Sequence, residues 1–306
     1  MPTGPGRRPP EDRRRTEHRN PASKNLDRLS ALQIVRLMNR EDRKIAVAVQ
    51  RELPAIAKAA DAIVHALQKG GRLFYVGAGS SGRMAVLDAA EIAPTFGTPP
   101  RLIQALIAGG RKAVTSAVEG AEDAVRNGER DLRARGFTSK DIIVGIAASG
   151  TTPYVLGALT YAHKRKATII ALTSNRRMPI TKLANIVIAP EVGPEVVTGS
   201  TRLKAGTSQK LVLNMLSTVT MVRLGHVYEN LMIDAVLTNK KLEDRALRIL
   251  AEASGKSVSD GRRALRQAEH DIRVALVILK CGVSASDARK LLATAGGNLR
   301  KALGET

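Results

Sequence analysis

Two glycine- and hydroxyl-rich stretches are where this chain could do chemistry. The first is Gly77-Ala78-Gly79-Ser80-Ser81-Gly82-Arg83, set between a short apolar run and a helical pattern. Formally it is G-x-G-x-x-G, the arrangement that lets a backbone approach a dinucleotide pyrophosphate. That reading also needs an acidic residue at the end of the next strand, to hold a ribose hydroxyl. The next apolar run ends Ile107-Ala108-Gly109-Gly110, without the acid. What the stretch offers instead is two hydroxyls, Ser80 and Ser81, beside the free N–H groups of a helix start. Such a group is a cradle for a phosphate monoester; a tight turn with serine capping is the bland alternative. Ala148-Ser149-Gly150-Thr151-Thr152-Pro153 repeats the pattern after a later apolar run. Two such loops at one end of one sheet can converge on a single phosphate.

The residues suited to proton transfer are carboxylates. Glu91 ends the helical stretch after the first loop, where the macrodipole disfavours an acid. Glu119 lies in Ala117-Val118-Glu119-Gly120-Ala121-Glu122-Asp123, after the second apolar run; Glu122 and Asp123 are better placed than Glu119 as helix-start acids. Glu195, in Gly193-Pro194-Glu195-Val196-Val197-Thr198-Gly199-Ser200, is a third candidate. Gly79, Arg83, Ser200 and Lys204 complete the set of candidate site residues, with Arg83 and Lys204 the basic groups near the strand ends. The histidines, His18, His65, His163, His226 and His270, have no metal-ligand spacing. No metal and no cofactor are expected.

These groups need a scaffold, and the hydropathy pattern supplies one. Apolar runs at Leu73 to Val76, Leu102 to Ile107, Ile142 to Ala147, Ala167 to Leu172 and Ile186 to Ala189 alternate with helical stretches near 80–90, 112–134 and 151–165. Near-continuous apolar strands separated by helices predict a parallel sheet covered on both faces. The fold class is α/β, a three-layer open sheet of about five strands, whose ligands bind beyond the strands' carboxyl ends. Ser30 caps a helical start, and Asn39 is expected to cap a longer helix to about Leu67, ended by Gly70 and Gly71. Further helices are expected over about 199–223 and 226–238, then a small bundle of three or four broken by Gly255, Gly282 and Gly296–Gly297. The expected organisation is a disordered basic arm (1–24), a central domain with its N-terminal helices (25–240) and a helical domain (241–306).

Composition narrows the partners. The 306 residues carry 49 Lys and Arg against 28 Asp and Glu, a formal charge of +21, which invites a nucleic-acid reading. The excess is spread along the whole chain, at +4 over residues 1–30, +11 over 31–239 and +6 over 240–306. The seven aromatics, none of them Trp, leave little for bases to stack on. Nucleic acid is therefore not expected, and the charge reads as solvated surface with a secondary role in attracting small anions. One cysteine, Cys281, excludes an internal disulfide framework and fits a reducing cytosol. The apolar runs are too short for a membrane span, and no apolar segment follows the basic N-terminus as a secretory signal requires. The expected location is the cytoplasm.

Several of these motifs together resemble N-acetylmuramic acid 6-phosphate etherases. They are Gly77-Ala-Gly-Ser-Ser-Gly-Arg83 with Leu87-Asp-Ala-Ala-Glu91 and Pro94-Thr-Phe-Gly97; Ala117-Val-Glu-Gly-Ala-Glu-Asp123; and Gly145-Ile-Ala-Ala-Ser-Gly150. Glu195-Val-Val-Thr-Gly-Ser200 with Lys204-Ala-Gly-Thr207, Asn214-Met-Leu-Ser-Thr218, and Thr16-Glu17 with Arg19-Asn20 extend it to about residues 16–303. Two motifs depart from the family: Ala90-Glu91-Ile92-Ala93-Pro94 stands where it usually has Ser-Glu-Cys-Pro-Pro, and Thr151 stands where it commonly has Arg. The resemblance implies a sugar isomerase (SIS), flavodoxin-like fold with a ubiquitin-associated-like helical tail, a homodimer, and a small-molecule sugar phosphate as substrate. The implied reaction cleaves the lactyl ether to give N-acetylglucosamine 6-phosphate and D-lactate in cell-wall sugar recycling. It implies Glu91 as proton donor to lactate and Glu119 as the second acid/base, with Ser80, Ser81, Ser149, Thr151 and Thr152 holding phosphate. The alternatives are an aldose–ketose isomerase of the same fold, working through Glu195, and a non-catalytic phosphosugar-binding regulator.

Overall fold

Ser30 begins the helical part of the chain with a reciprocal cap. Its Oγ accepts the Gln33 N–H while Gln33 Oε1 accepts the Ser30 N–H, opening α1 (Ala31–Gln50). The helix runs straight through Asn39, so the expectation that Asn39 caps a longer helix is corrected. The break comes later, at Arg51–Glu52, where Pro54 in the first turn of α2 (Leu53–Gln68) cannot continue the preceding ladder. The computed structural model describes Asp12, residues 14–237 and residues 239–305.

Each of the five apolar runs forms a strand: β1 (Leu73–Gly77), β2 (Ile103–Ile107), β3 (Ile142–Ile146), β4 (Thr168–Leu172) and β5 (Ile186–Ile188). Between them lie α3 (Gly79–Phe96), α4 (Lys112–Thr115), α5 (Val125–Ala134), α6 (Pro153–Lys164) and α7 (Pro179–Lys182); α8 (Lys204–Arg223) follows β5. The expected helix over 112–134 is thus two, separated by a 3-10 turn at Ala121–Asp123. The sheet order is β2-β1-β3-β4-β5, with β1, β3, β4 and β5 paired parallel. This is the doubly wound order whose chain direction reverses at β1 and β3, leaving a crevice at their carboxyl ends.

By contacts the chain divides into two compact units: Met1–Leu87 with Gln104–Met215, and Asp88–Ile103 with Leu216–Thr306. In the first unit, Phe74, Val76, Ile143, Ile169 and Ala171 bury one sheet face against Leu132 of α5 and Val155, Leu159 and Ala162 of α6. Leu73, Tyr75, Ile142 and Val144 are equally buried on the other face, and α2 packs on β1 and β5. Both faces are covered, which is why the strands read as continuous apolar runs.

The arm expected over residues 1–24 lies outside the described residues up to Glu11. From residue 14 on, the expectation is corrected. Arg15–Glu17 and Pro21–Ser23 form 3-10 turns, and Thr16 and Asn20 are buried. Polar anchors, not apolar area, hold this stretch.

In the second unit the helix expected over 226–238 is absent from its described residues. Val227–Tyr228 (β6) and Leu231–Met232 (β7) pair antiparallel through a turn with Glu229 at φ +53°. β-Formers around a two-residue turn favour a hairpin. Five helices follow: α9 (Lys240–Ser254), α10 (Val258–Gln267), α11 (Ile272–Cys281), α12 (Ala285–Thr294) and α13 (Leu299–Ala302). Asn239, Ser257, Asp271, Ser284 and Asn298 each accept a first-turn N–H as N-caps. Gly255 and Gly282 end α9 and α11 as expected, while Glu269 and His270 adopt positive φ at a break no glycine marks. Leu247, Leu250, Leu265, Ile272, Val274 and Leu299 are in its core.

Candidate active site

The register of β1 on β3 sets the geometry. Gly77, the last residue of β1, pairs with Ile146, the last residue of β3. The two hydroxyl loops therefore leave adjacent strands side by side, at the crevice of the sheet. A side chain at Gly77 would meet the Gly82 backbone nitrogen at 2.7 Å. Its absence lets α3 start directly against the strand end, aimed at the crevice. Ser80 is half-buried and Ser81 buried in the first turn of α3, whose leading N–H groups have no intrahelical acceptor.

The second loop turns at Gly150, φ +77°, where a Cβ would also lie 2.5 Å from Met178 Cβ. Ser149 Oγ accepts both the Thr151 N–H (3.2 Å) and the Thr151 hydroxyl (3.0 Å). Thr152 precedes Pro153, whose missing N–H costs nothing at the first position of α6. Ser149, Thr151 and Thr152 are half-buried. The five hydroxyls named from sequence thus belong to two helix starts on neighbouring strands. That arrangement suits a phosphate.

Glu119 is exposed on the loop beyond β2, next to Gly120 at φ +68°. Arg83 holds that loop. Its Nε donates to the carbonyls of Ala113 and Val114 (both 3.1 Å) and its Nη2 to that of Ser116 (3.1 Å). The guanidinium read from sequence as a basic group for the ligand is spent on the end of α4 and ties it to α3. A cleft of about 900 Å3 runs along β2 and α5, lined by Glu119, Arg111, Asn127, Arg130 and Asp131 among others.

Glu91 is exposed on α3 and belongs to the second unit; the helix continues past it to Phe96, so the expectation that Glu91 ends the helix is corrected. Within that unit the helix is fixed on both sides of Glu91: Ser217 Oγ donates to Asp88 Oδ1 (3.0 Å) before it, and the Val236 N–H donates to the Pro94 carbonyl (3.4 Å) after it.

Glu195 and Lys204 have other partners than a ligand. Glu195 is wholly buried and accepts the N–H groups of Lys204 (3.0 Å) and Ala205 (2.9 Å), capping α8. Burial pushes its carboxyl up from the usual range, against the pull of those two bonds. Lys204, 2% exposed, sends its Nζ to Glu41 Oε2 at 2.8 Å. Burial alone would raise the Glu41 carboxyl, but hydrogen bonds from Lys204, Lys44 and Asn20 hold it down at about 2. Lys204 is ion-paired with Glu41, while the Arg83 guanidinium is bonded to neutral carbonyls and keeps its charge. Ser200 is half-buried at the turn before α8, its N–H on the Val197 carbonyl (3.0 Å), and Gly79 supplies the positive φ at the start of α3.

Sequence reasoning missed Glu41 and Asn175. Glu41 stands in the buried stripe Leu37, Ile45, Val49 of α1, where an acid signals a buried ion pair. Asn175 ends Thr173-Ser174-Asn175, a third polar loop at a strand's carboxyl end. Its Nδ2 donates to Thr16 Oγ1 and to the Ala148 carbonyl.

The profile of the glucokinase regulatory protein N-terminal SIS domain matches residues 55–163, and that of the SIS domain matches residues 124–219. A phosphoheptose isomerase structure from Francisella tularensis superposes with a TM-score of 0.52 at 23% identity, over 63% of this chain and all of that one, a likeness of fold. Full-length relatives are far closer in sequence. The N-acetylmuramic acid 6-phosphate etherase of Pectobacterium atrosepticum is 51% identical over 94% of this chain and 95% of its own length. That of Yersinia pestis (strain Pestoides F) is 52% identical over 94% and 98%. The chain belongs to the N-acetylmuramic acid 6-phosphate etherase family. As a member it is an enzyme on a SIS fold, as its sheet order and crevice indicate. Among the described residues, no etherase helix is long and apolar enough to cross a membrane, and no group of three or more His, Cys, Asp or Glu could hold a metal ion.

Proposed function

We propose that this enzyme cleaves the D-lactyl ether of N-acetylmuramic acid 6-phosphate, giving N-acetylglucosamine 6-phosphate and D-lactate. Membership of the etherase family carries the reaction, and the paired helix starts at Ser80 and Ser149 are the observation that supports the substrate's phosphate as anchor.

An ether oxygen is a poor leaving group, so direct displacement is slow. In the open-chain sugar the aldehyde acidifies the carbon 2 proton, and the ether oxygen sits on carbon 3. A base takes the carbon 2 proton, an acid protonates the departing lactate oxygen, and a carbon 2–carbon 3 double bond forms. Water then adds at carbon 3 while carbon 2 regains a proton. Two carboxylates of different protonation state serve both halves. In our reading Glu91 is the proton donor to lactate and Glu119 the second acid/base. Ser80, Ser81, Ser149, Thr151 and Thr152 hold the phosphate, and Arg83 fixes the Glu119 loop.

The active form in this reading is a homodimer. The single cysteine fits a cytoplasmic enzyme acting on recycled cell-wall sugar. The isomerase alternative loses support because Glu195, its base, is buried and spent on α8. Release of lactate from N-acetylmuramic acid 6-phosphate, followed with a coupled dehydrogenase, tests the reading. Conversion of the sugar phosphate without lactate would contradict it.

A further inference from the structure

The stretch from Arg14 to Asn20 touches the loops that leave β4 and β5, is linked to the loop after β3 through Asn175, and is pinned at two points. At the first, Asn175 Nδ2 donates to Thr16 Oγ1 (3.2 Å) and to the carbonyl of Ala148 (2.9 Å), the residue before Ser149. Thr16 and Asn175 are each 1% exposed. The Ser174 N–H reaches the same carbonyl (3.0 Å). At the second point, Asn20 Nδ2 donates to Glu41 Oε2 (3.0 Å) and to the Pro194 carbonyl (3.1 Å). Glu41 is in turn the partner of Lys204, whose N–H is capped by Glu195.

The Ser149 loop needs such support. Residues Ser149 to Thr152 belong to no helix or strand, and Gly150 sits at φ +77°. Backbone N–H groups bind an anion well only if they are held in place before it arrives. A buried amide that loses one acceptor is destabilised, so the Thr16–Asn175–Ala148 chain favours one loop geometry.

We propose that the N-terminal segment is a strap that holds the Ser149 loop in its phosphate-binding shape, with Thr16 and Asn175 as positioning residues. The proposal rests on the reading of that loop as a phosphate site. It accounts for two buried polar residues in a segment with no apolar core of its own.

The test compares full-length Thr16→Val, Thr16→Ser and Ser149→Ala with the parent enzyme. Lactate release gives KM and kcat, calorimetry gives the affinity for N-acetylglucosamine 6-phosphate, and melting reports folding. Thr16→Val keeps the volume and removes the acceptor. It should raise KM and weaken sugar phosphate binding about fivefold with kcat held within about twofold, while Thr16→Ser stays near the parent. If Thr16→Val binds normally while Ser149→Ala binds weakly, the strap has no such role. A parallel loss of kcat and melting temperature in both Thr16 variants, with KM unchanged, also overturns it. A Ser149→Ala enzyme that binds sugar phosphate like the parent overturns the phosphate reading itself.

Discussion

Gly77 at the end of β1 is the register partner of Ile146 at the end of β3. Loops that leave paired parallel residues start one strand spacing apart, about 4.8 Å. Ser80 and Ser149 each lie three residues beyond that pair. Chain direction reverses at the same two strands, so one crevice takes both helix starts.

If the two loops share one phosphate, each hydroxyl contributes to one affinity. Ser80→Ala and Ser149→Ala should each weaken N-acetylglucosamine 6-phosphate binding by about tenfold, and the double variant should be weaker than either. Calorimetry reads this directly. A loss confined to one loop would mean that the other is only a turn.

Arg83 bonds to three carbonyls of the segment that leads to Glu119. Arg83→Lys keeps the charge but loses the planar fork. The expected result is a drop in kcat of about tenfold, with KM within about twofold, because the carboxylate is displaced while the phosphate site stays intact. Steady-state lactate release checks it. A rise in KM alone would instead make Arg83 a ligand for the phosphate.

The buried pair Lys204–Glu41 predicts an acid-sensitive fold. The folded-state value of Glu41, about 2, lies below its ordinary 4.5. Its stabilisation is therefore complete above about pH 4.5 and is lost as the pH falls from there toward 2. Glu41→Gln leaves the Lys204 ammonium buried without its counter-charge and should destabilise the first unit by about 3 kcal/mol at neutral pH. Denaturant melts against pH should show a shallower acid limb in the variant.

Glu195 titrates in the opposite sense. Burial raises its value, so its ionised form weakens the fold as the pH climbs above the ordinary carboxylate range. Glu195→Gln retains one of the two cap bonds. It should cost about 1 kcal/mol at neutral pH and leave lactate release per folded molecule unchanged. Loss of turnover in a folded Glu195→Gln enzyme would return this residue to the chemistry.

Strands and hydroxyl loops were legible because their signals are local. Val76 and Ile146 end apolar runs, and glycines with hydroxyls follow. The boundaries that went astray depended on partners far along the chain. Asn39 has the side chain of a cap, yet the Ser30–Gln33 capping box had already started that helix. Thr16 and Asn20 look like part of a charged tail; their anchors, Asn175 and Pro194, lie 159 and 174 residues away. Lys204 and Arg83 read as free cations because sequence shows their charge and not the Glu41 carboxylate or the Ala113 carbonyl that occupies them. The hairpin at Val227–Met232 had a local signal, β-formers about Glu229–Asn230, which a helical reading of 226–238 overrode.

The most direct test of the proposed elimination is to incubate the enzyme with N-acetylmuramic acid 6-phosphate in heavy water and examine the products by NMR. The account predicts D-lactate together with N-acetylglucosamine 6-phosphate carrying deuterium at carbon 2, and loss of lactate release in Glu91→Gln. Lactate formed with carbon 2 still bearing its original proton would contradict it.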